Sequence, residues 1–133
     1  MTAKVVYEGE LRCSMTHIYS GSQIESDAPL DNQGLAQRFS PTDLTATSLG
    51  ACMMTVMGIK ARDMNLDLKG TEIEVTKVMA ANPRRISEIH CKLTFPKNNF
   101  SDKDKAVLEN TARTCPVAHS LHPDIKQLLT FIW

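Results

Sequence analysis

The sequence is poor in aromatic residues and has no excess of charge of either sign. Phe, Trp and Tyr make up 5% of its 133 residues, and 15 basic side chains balance 15 acidic ones. A formal net charge of zero argues against a partner that is held by overall charge, such as nucleic acid or an anionic membrane. We therefore expect neither nucleic acid nor membrane among its partners.

The cysteines lack the spacings that are typical of metal sites. They stand at positions 13, 52, 91 and 115, with no C-x-x-C pair and no Cys/His group at the spacing of zinc ligands. The start of the chain, MTAKVVYEGE, has no apolar signal-peptide core. We expect a cytoplasmic protein with reduced thiols, without a metal, a cofactor or a disulfide scaffold.

Repeats, low-complexity tracts and linkers are also absent, and the length suits one domain, 1–133. Alternation of apolar and polar residues predicts strands, and capping signals predict helices. The strands are predicted at 5–7, 11–19, 23–25, 71–79, 84–95 and 125–133, and the helices at 40–62 and from 101 towards 113. This order indicates an α+β fold in which antiparallel sheets pack on a long central helix. On the apolar strand faces, Cys13 and Cys91 are predicted to be core residues.

The helix predicted at 40–62 is the central element. Ser40 is a candidate N-cap, Pro41 fits the first helical position, and Asp43 completes a Ser-x-x-Asp capping box. No residue from 44 to 59 is charged, yet this run is too short and too rich in Ser, Thr and Gly for a membrane span. Because a helix that is apolar all round must be covered all round, we expect a second subunit, most simply in a two-fold dimer.

Two cysteines lie at helical positions where a thiol could react. Cys52 is in the middle of the first helix, where a buried structural cysteine is the alternative. Cys115 precedes Pro116 and could cap a short last helix, a position that lowers the pKa of a thiol. The alternative for Cys115 is simply a small residue at a helix junction.

The loop SDAPLDNQGLAQRFSPTDL, the helix end GACMMTVMGIKAR and the downstream TCPVAHSL together resemble the OsmC/Ohr family of thiol-dependent hydroperoxide reductases. The resemblance implies an OsmC-like intertwined homodimer with the Cys-bearing helices at its centre and two active sites at the subunit interface. It implies that Cys52 is the peroxidatic cysteine and Cys115 the resolving one. It also implies a hydroperoxide substrate and a dithiol reductant, of the lipoyl type or a small thiol.

Cys52 would need a nearby cation, because it lies too far from the helix N-terminus for the dipole to stabilise a thiolate. The Ohr branch uses a hairpin arginine held by a glutamate ten positions before the cysteine. Here the candidate cations are Arg12 and Arg38, although either could be a solvated surface charge. The glutamate position holds Thr42, and the neighbouring Asp43 could contact an arginine or only cap the helix.

Two functions from different classes remain open. The first is a cysteine peroxidase that reduces organic hydroperoxides, and also hydrogen peroxide, in a stress or antioxidant response. The second is an OsmC-fold dimer without peroxidase activity that binds a small ligand or senses redox state. The pair Cys52 and Cys115 favours the first, and Thr42 favours the second. A cysteine hydrolase is disfavoured, because no recognisable protease motif surrounds either cysteine.

Overall fold

The computed structural model describes all residues, 1–133, as two compact units, Met1–Thr45 and Ala46–Trp133. The first unit contains β1 (Ala3–Gly9), β2 (Arg12–His17), β3 (Gln23–Asp27), a 3-10 helix (Leu30–Asn32) and the start of α1 (Pro41–Asp63). The second contains the rest of α1, then β4 (Glu72–Ala80), β5 (Arg85–Thr94), α2 (Asp102–Arg113), α3 (Pro116–Ser120) and β6 (Lys126–Ile132). The α+β class and the long Cys-bearing helix are confirmed.

The first unit is built on an antiparallel meander in the order β1-β2-β3. The chain turns between β1 and β2, after the strand predicted at 5–7, and Gly9, Glu10 and Leu11 all adopt positive φ there. The expectation that Cys13 is a core residue is wrong, because its side chain is only half-buried and lies outside the core cluster. Strand alternation indicates that residues share a face, but not whether that face is covered.

The core of the second unit forms where α1 meets the sheet of β4, β5 and β6. Its largest fully buried side chains are Leu49, Met53 and Met57 of α1, Ile89, Cys91 and Leu93 of β5, Leu108 of α2, and Cys115. Gly50 allows α1 to approach β4 closely, since a Cβ at that position would lie 3.0 Å from Val75 Cγ2. The strands predicted at 71–79 and 84–95 are confirmed as the antiparallel pair β4 and β5, and the core position of Cys91 is confirmed.

The last strand corrects the expectation that both sheets are antiparallel. β6 pairs in parallel with β5, with Cys91 opposite Leu129, so the second sheet is mixed. The reason is that α2 and α3 carry the chain between these strands, and a parallel pair needs such a crossover. Although β6 is apolar on both faces, only one is covered, and Leu128 and Ile132 remain more than 40% exposed.

The expectation that α1 is buried all round is not met within one chain. Its buried face carries Leu49 and Met53, whereas Ile59 is 57% exposed on another face. By length and composition alone α1 could cross a membrane, a test that core helices of soluble proteins also pass. One side of the helix is therefore left uncovered by this chain.

We predict that Leu49→Ala lowers the free energy of unfolding by about 2 to 5 kcal/mol, because Leu49 is fully buried and the truncation leaves a cavity. Leu128→Ala is the matched control, since the same atoms are removed from a side chain that is 45% exposed. Urea unfolding of both variants measures the difference. Equal losses would contradict the position assigned to α1 in the core.

Candidate active site

Helix α1 begins with a reciprocal hydrogen-bonded cap. The Ser40 N–H donates to Asp43 Oδ2 at 2.8 Å, and the Asp43 N–H donates to Ser40 Oγ at 3.0 Å. These bonds satisfy two of the backbone donors that a helix N-terminus leaves unpaired within the helix. The predicted capping role of Asp43 is therefore confirmed, and its role towards an arginine stays a prediction.

Cys52 lies in the middle of α1, at the edge of the buried face. The neighbouring Leu49 and Met53 are fully buried, whereas Cys52 is half-buried and packs against the same core. Ala51 and Thr55, on the adjacent face, are exposed. The Cys52 thiol thus lies between the core and the uncovered side of the helix.

Cys115 is the N-cap residue of α3, as the sequence predicted. Its backbone is extended, Pro116 follows at the start of the helix, and the Ala118 N–H donates to Cys115 Sγ at 3.3 Å. The side chain is fully buried. The sulfur therefore accepts the backbone hydrogen bond that a serine oxygen accepts in an ordinary N-cap.

The structure brings the two thiols together. The Cys52 and Cys115 side chains are neighbours that interact electrostatically, although the two residues are far apart in sequence. Burial raises the pKa of the Cys115 thiol, the Ala118 N–H opposes this effect, and the neighbouring Cys52 adds to it. The prediction that the helix N-terminus lowers the pKa of Cys115 is wrong, because desolvation raises this pKa more than the backbone donor lowers it. Cys115 is thus held as a thiol beside Cys52.

Cys91 is a third thiol in the same core. It lies on β5, is 1% exposed, and burial together with the charge of Cys115 raises its pKa to about 11. A thiol in this environment is inert, because the thiolate is the nucleophile. Cys91 is therefore a packing residue, unlike the half-buried Cys52.

Arg12 is held in the first unit by a buried carboxylate. Its Nε donates to Asp27 Oδ1 at 2.7 Å, and its Nη2 donates to Asp27 Oδ2 at 2.9 Å and to Gln37 Oε1 at 2.9 Å. The hydrogen bond from Arg12, together with its charge, keeps the pKa of Asp27 below its usual range. None of the three bonds from the Arg12 guanidinium uses Nη1, so that end can still donate to a ligand or a thiolate.

Arg38 has a different environment. Its Nε donates to Glu25 Oε2 at 2.8 Å, and both side chains are more than 40% exposed. An exposed ion pair of this kind fixes its side chains weakly, because water and salt compete with it. Of the two candidate arginines, Arg12 is the one whose orientation the fold determines.

A hollow of about 310 Å³ opens beside the Arg12–Asp27 pair. Its other lining residues are Glu8, Gly9, Glu10, Leu35 and Gln37. Across the described residues 1–133, no group of three or more His, Cys, Asp and Glu side chains is placed to hold a metal ion.

Comparison with known proteins decides the family. The model of the OsmC-like protein family matches residues 33–127. The crystal structure of a Psychrobacter arcticus protein, described as an osmotic stress induced and detoxification response protein, is 56% identical to the chain. The alignment covers 98% of this chain and 95% of the Psychrobacter chain, with a TM-score of 0.95. The chain belongs to the OsmC-like protein family. This membership supports a redox or peroxide-related function in stress.

More distant structures show the same fold. An organic hydroperoxide resistance protein OsmC from Legionella pneumophila is 14% identical over 100% of this chain and 98% of its own, with a TM-score of 0.75. The organic hydroperoxide resistance protein OhrB of Bacillus subtilis is 18% identical over 98% of both chains, with a TM-score of 0.71. No curated protein sequence matches the chain.

Two residues that hold Arg12, Asp27 and Gln37, were not predicted from the sequence. Asp27 stands directly opposite Arg12 in the β2–β3 ladder, and an opposite charge at a cross-strand position is a signal that pairing would have revealed. Gln37 gave no such signal, because its contact depends on how the loop after β3 folds back. The catalytic roles of Arg12, Cys52 and Cys115 stay predictions from the sequence.

We predict that the stability of this protein falls between about pH 8.5 and 11, in part because of Cys91. The native state keeps the Cys91 proton up to a pKa of about 11, while the unfolded chain loses it near pH 8.5, so rising pH favours unfolding. The contribution is roughly 2 to 3 kcal/mol. Urea unfolding across this range measures it. Cys91→Ala should show a flatter decline, and an identical slope in both proteins would contradict the assignment.

Proposed function

We propose that this OsmC-like protein is a thiol-dependent peroxidase that reduces organic hydroperoxides, with hydrogen peroxide as a second substrate. The observation that carries the proposal is that the thiols of Cys52 and Cys115 lie next to each other. One sulfur is half-buried and the other is fully buried. A peroxide can therefore reach the first, and the second is already in place to react with the product.

The reaction consists of two displacements at sulfur. The Cys52 thiolate attacks the terminal peroxide oxygen, the O–O bond breaks, and the alkoxide takes a proton and leaves as an alcohol. The peroxide is reduced and Cys52 becomes a sulfenic acid. Cys115 then attacks the Cys52 sulfur, an S–S bond forms and water leaves. An external dithiol, of the lipoyl type or a small thiol, reduces the disulfide and restores both thiols.

The raised pKa of Cys115 suits the order of these steps. Since burial and the adjacent Cys52 keep Cys115 protonated, the pair does not present two thiolates in contact. Cys52 is then the sulfur that meets the peroxide, and Cys115 reacts once a sulfenic acid stands beside it. Helix α3 keeps the Cys115 sulfur in place until then, through the Ala118 N–H.

The proposal gives Arg12 the task of stabilising the Cys52 thiolate. A thiolate in an apolar helix face needs a cation, and the chain offers Arg12 with a fixed orientation and an unused Nη1. Arg38, in its exposed pair with Glu25, is the weaker candidate. Asp43 is engaged in the α1 cap and contributes by fixing the start of the helix.

The active protein is proposed to be a cytoplasmic homodimer of single-domain subunits, 1–133. The uncovered side of α1, with Ile59 57% exposed, supports this assembly, as do the exposed Val5, Tyr7 and Ile24 of the first sheet. A second subunit is the simplest way to cover such surfaces. Family membership points the same way, since OsmC/Ohr proteins are typically dimeric.

A second candidate function is a dimer of this fold that binds a small ligand or senses redox state without turnover. The observation that favours it is Thr42, whose hydroxyl lies 3.2 Å from Ser40 Oγ at the helix cap. A threonine at this position supplies no carboxylate to orient an arginine. The two candidates differ in whether peroxide is consumed repeatedly.

We predict that Cys52→Ser abolishes peroxide turnover, because no other accessible thiol has a partner sulfur beside it. Cys115→Ser should consume one equivalent of peroxide and then stall or overoxidise, since the sulfenic acid is not resolved. Consumption of cumene hydroperoxide in the presence of a dithiol measures both effects. Cys13→Ser is the matched control, because Cys13 is also half-buried, and it should keep wild-type turnover. Full activity of Cys52→Ser would contradict the proposal.

A further inference from the structure

We propose that a hollow at the C-terminal end of α1 is a binding site for a fatty carboxylate, a single apolar chain with one anionic head group. The hollow has a volume of about 430 Å³, which is within the range of small-molecule sites in proteins. All its lining residues lie between positions 54 and 69, in the second unit. None of the residues assigned to the thiol chemistry is among them, so this inference does not rest on the proposed function.

The hollow forms because the chain turns back sharply where α1 ends. Asn65 adopts a φ of 55°, its N–H donates to the Arg62 carbonyl at 3.1 Å, and the Leu66 N–H donates to the Ala61 carbonyl at 2.8 Å. This pair of bonds is the Schellman motif, which ends a helix at a residue with positive φ. The returning segment therefore brings Leu66 and Leu68 to line the same hollow as Ala61.

The body of the hollow is apolar. Ala61 and Leu68 are buried, and Met54, Gly58 and Leu66 complete the apolar lining. Gly58 leaves the space open, because a Cβ at position 58 would meet no atom within 4 Å. A single acyl chain fits such a space, since it removes its own apolar surface and that of the lining from water together.

Two cations lie at the rim of the hollow. The exposed Arg62 and Lys69 both line it, and neither side chain forms an ion pair or a hydrogen bond with another residue. The single carboxylate of the lining, Asp67, accepts the Lys69 N–H at 2.8 Å and so belongs to the turn. An anionic head group at the rim would pair with both cations, while its chain enters the apolar body.

The hollow lies on a different flank of α1 from the reactive thiol. At about 100° per residue, Met54 and Gly58 lie roughly 160° and roughly 120° around the helix from Cys52. Ile59, whose exposure supports the proposed dimer, lies roughly 100° from Gly58. The carboxylate site is therefore apart from the thiol pair and from the exposed Ile59. A second copy of the chain is the competing occupant of the hollow.

The test is isothermal titration calorimetry of the full chain with decanoate, below the concentration at which it forms micelles. Decanoate should bind saturably, with one molecule per chain. Decyltrimethylammonium has the same chain and the opposite charge, and it should bind at least about tenfold more weakly because its head group meets Arg62 and Lys69. Equal affinities for the two compounds, or no binding of decanoate, would overturn the proposal.

Two sets of variants locate the site. Gly58→Leu should abolish decanoate binding, because the new side chain fills the hollow, while the fold is kept since leucine favours a helix more than glycine does. The double change Arg62→Gln and Lys69→Gln should weaken binding about tenfold. Lys60→Gln is the matched control, because Lys60 is also in the last turn of α1 but does not line the hollow.

Sedimentation velocity of the wild type and of Gly58→Leu separates the carboxylate from a second copy of the chain. The proposal expects the same oligomeric state in both proteins. A wild-type assembly that Gly58→Leu dissociates would assign the hollow to a subunit contact and overturn the proposal. Decanoate binding that survives Gly58→Leu, or that Lys60→Gln weakens as much as the double change does, would also overturn it.

Discussion

The close approach of the Cys52 and Cys115 thiols is the interaction on which the proposed chemistry of this protein depends. It joins the middle of a long helix to the junction between two later helices, and each side is fixed by a different local device. Cys52 is held by the packing of α1 on the mixed sheet. Cys115 is held because its sulfur caps α3 through the Ala118 N–H. A disulfide between them would close across a contact that the reduced fold already makes.

Burial makes this contact possible and also opposes its chemistry. The same desolvation that protects the sulfurs raises the pKa of Cys115 and of Cys91, because a charge is poorly stabilised away from water. Reactivity therefore requires one sulfur at the edge of the core and a cation fixed nearby. Cys52 satisfies the first condition, and Arg12, oriented by Asp27, is proposed to satisfy the second.

Local signals allowed most of the elements to be predicted, and tertiary pairing explains the failures. The caps at Ser40 and Cys115 depend on adjacent residues and were predicted from the sequence alone. The parallel pairing of β6 was missed, since strand patterns carry no information on direction. Asp27 was missed because its role depends on the strand opposite, and the pKa of Cys115 was wrong in direction because burial is a property of the whole fold.

The central claim is tested most directly by mapping the disulfide that forms when the reduced protein meets peroxide. One equivalent of cumene hydroperoxide would be added without oxygen, and the tryptic peptides would be analysed by mass spectrometry. The account predicts rapid loss of two thiols and a peptide pair that joins Cys52 to Cys115, with Cys91 unmodified. Four intact thiols, or a disulfide that leaves out Cys52, would contradict it.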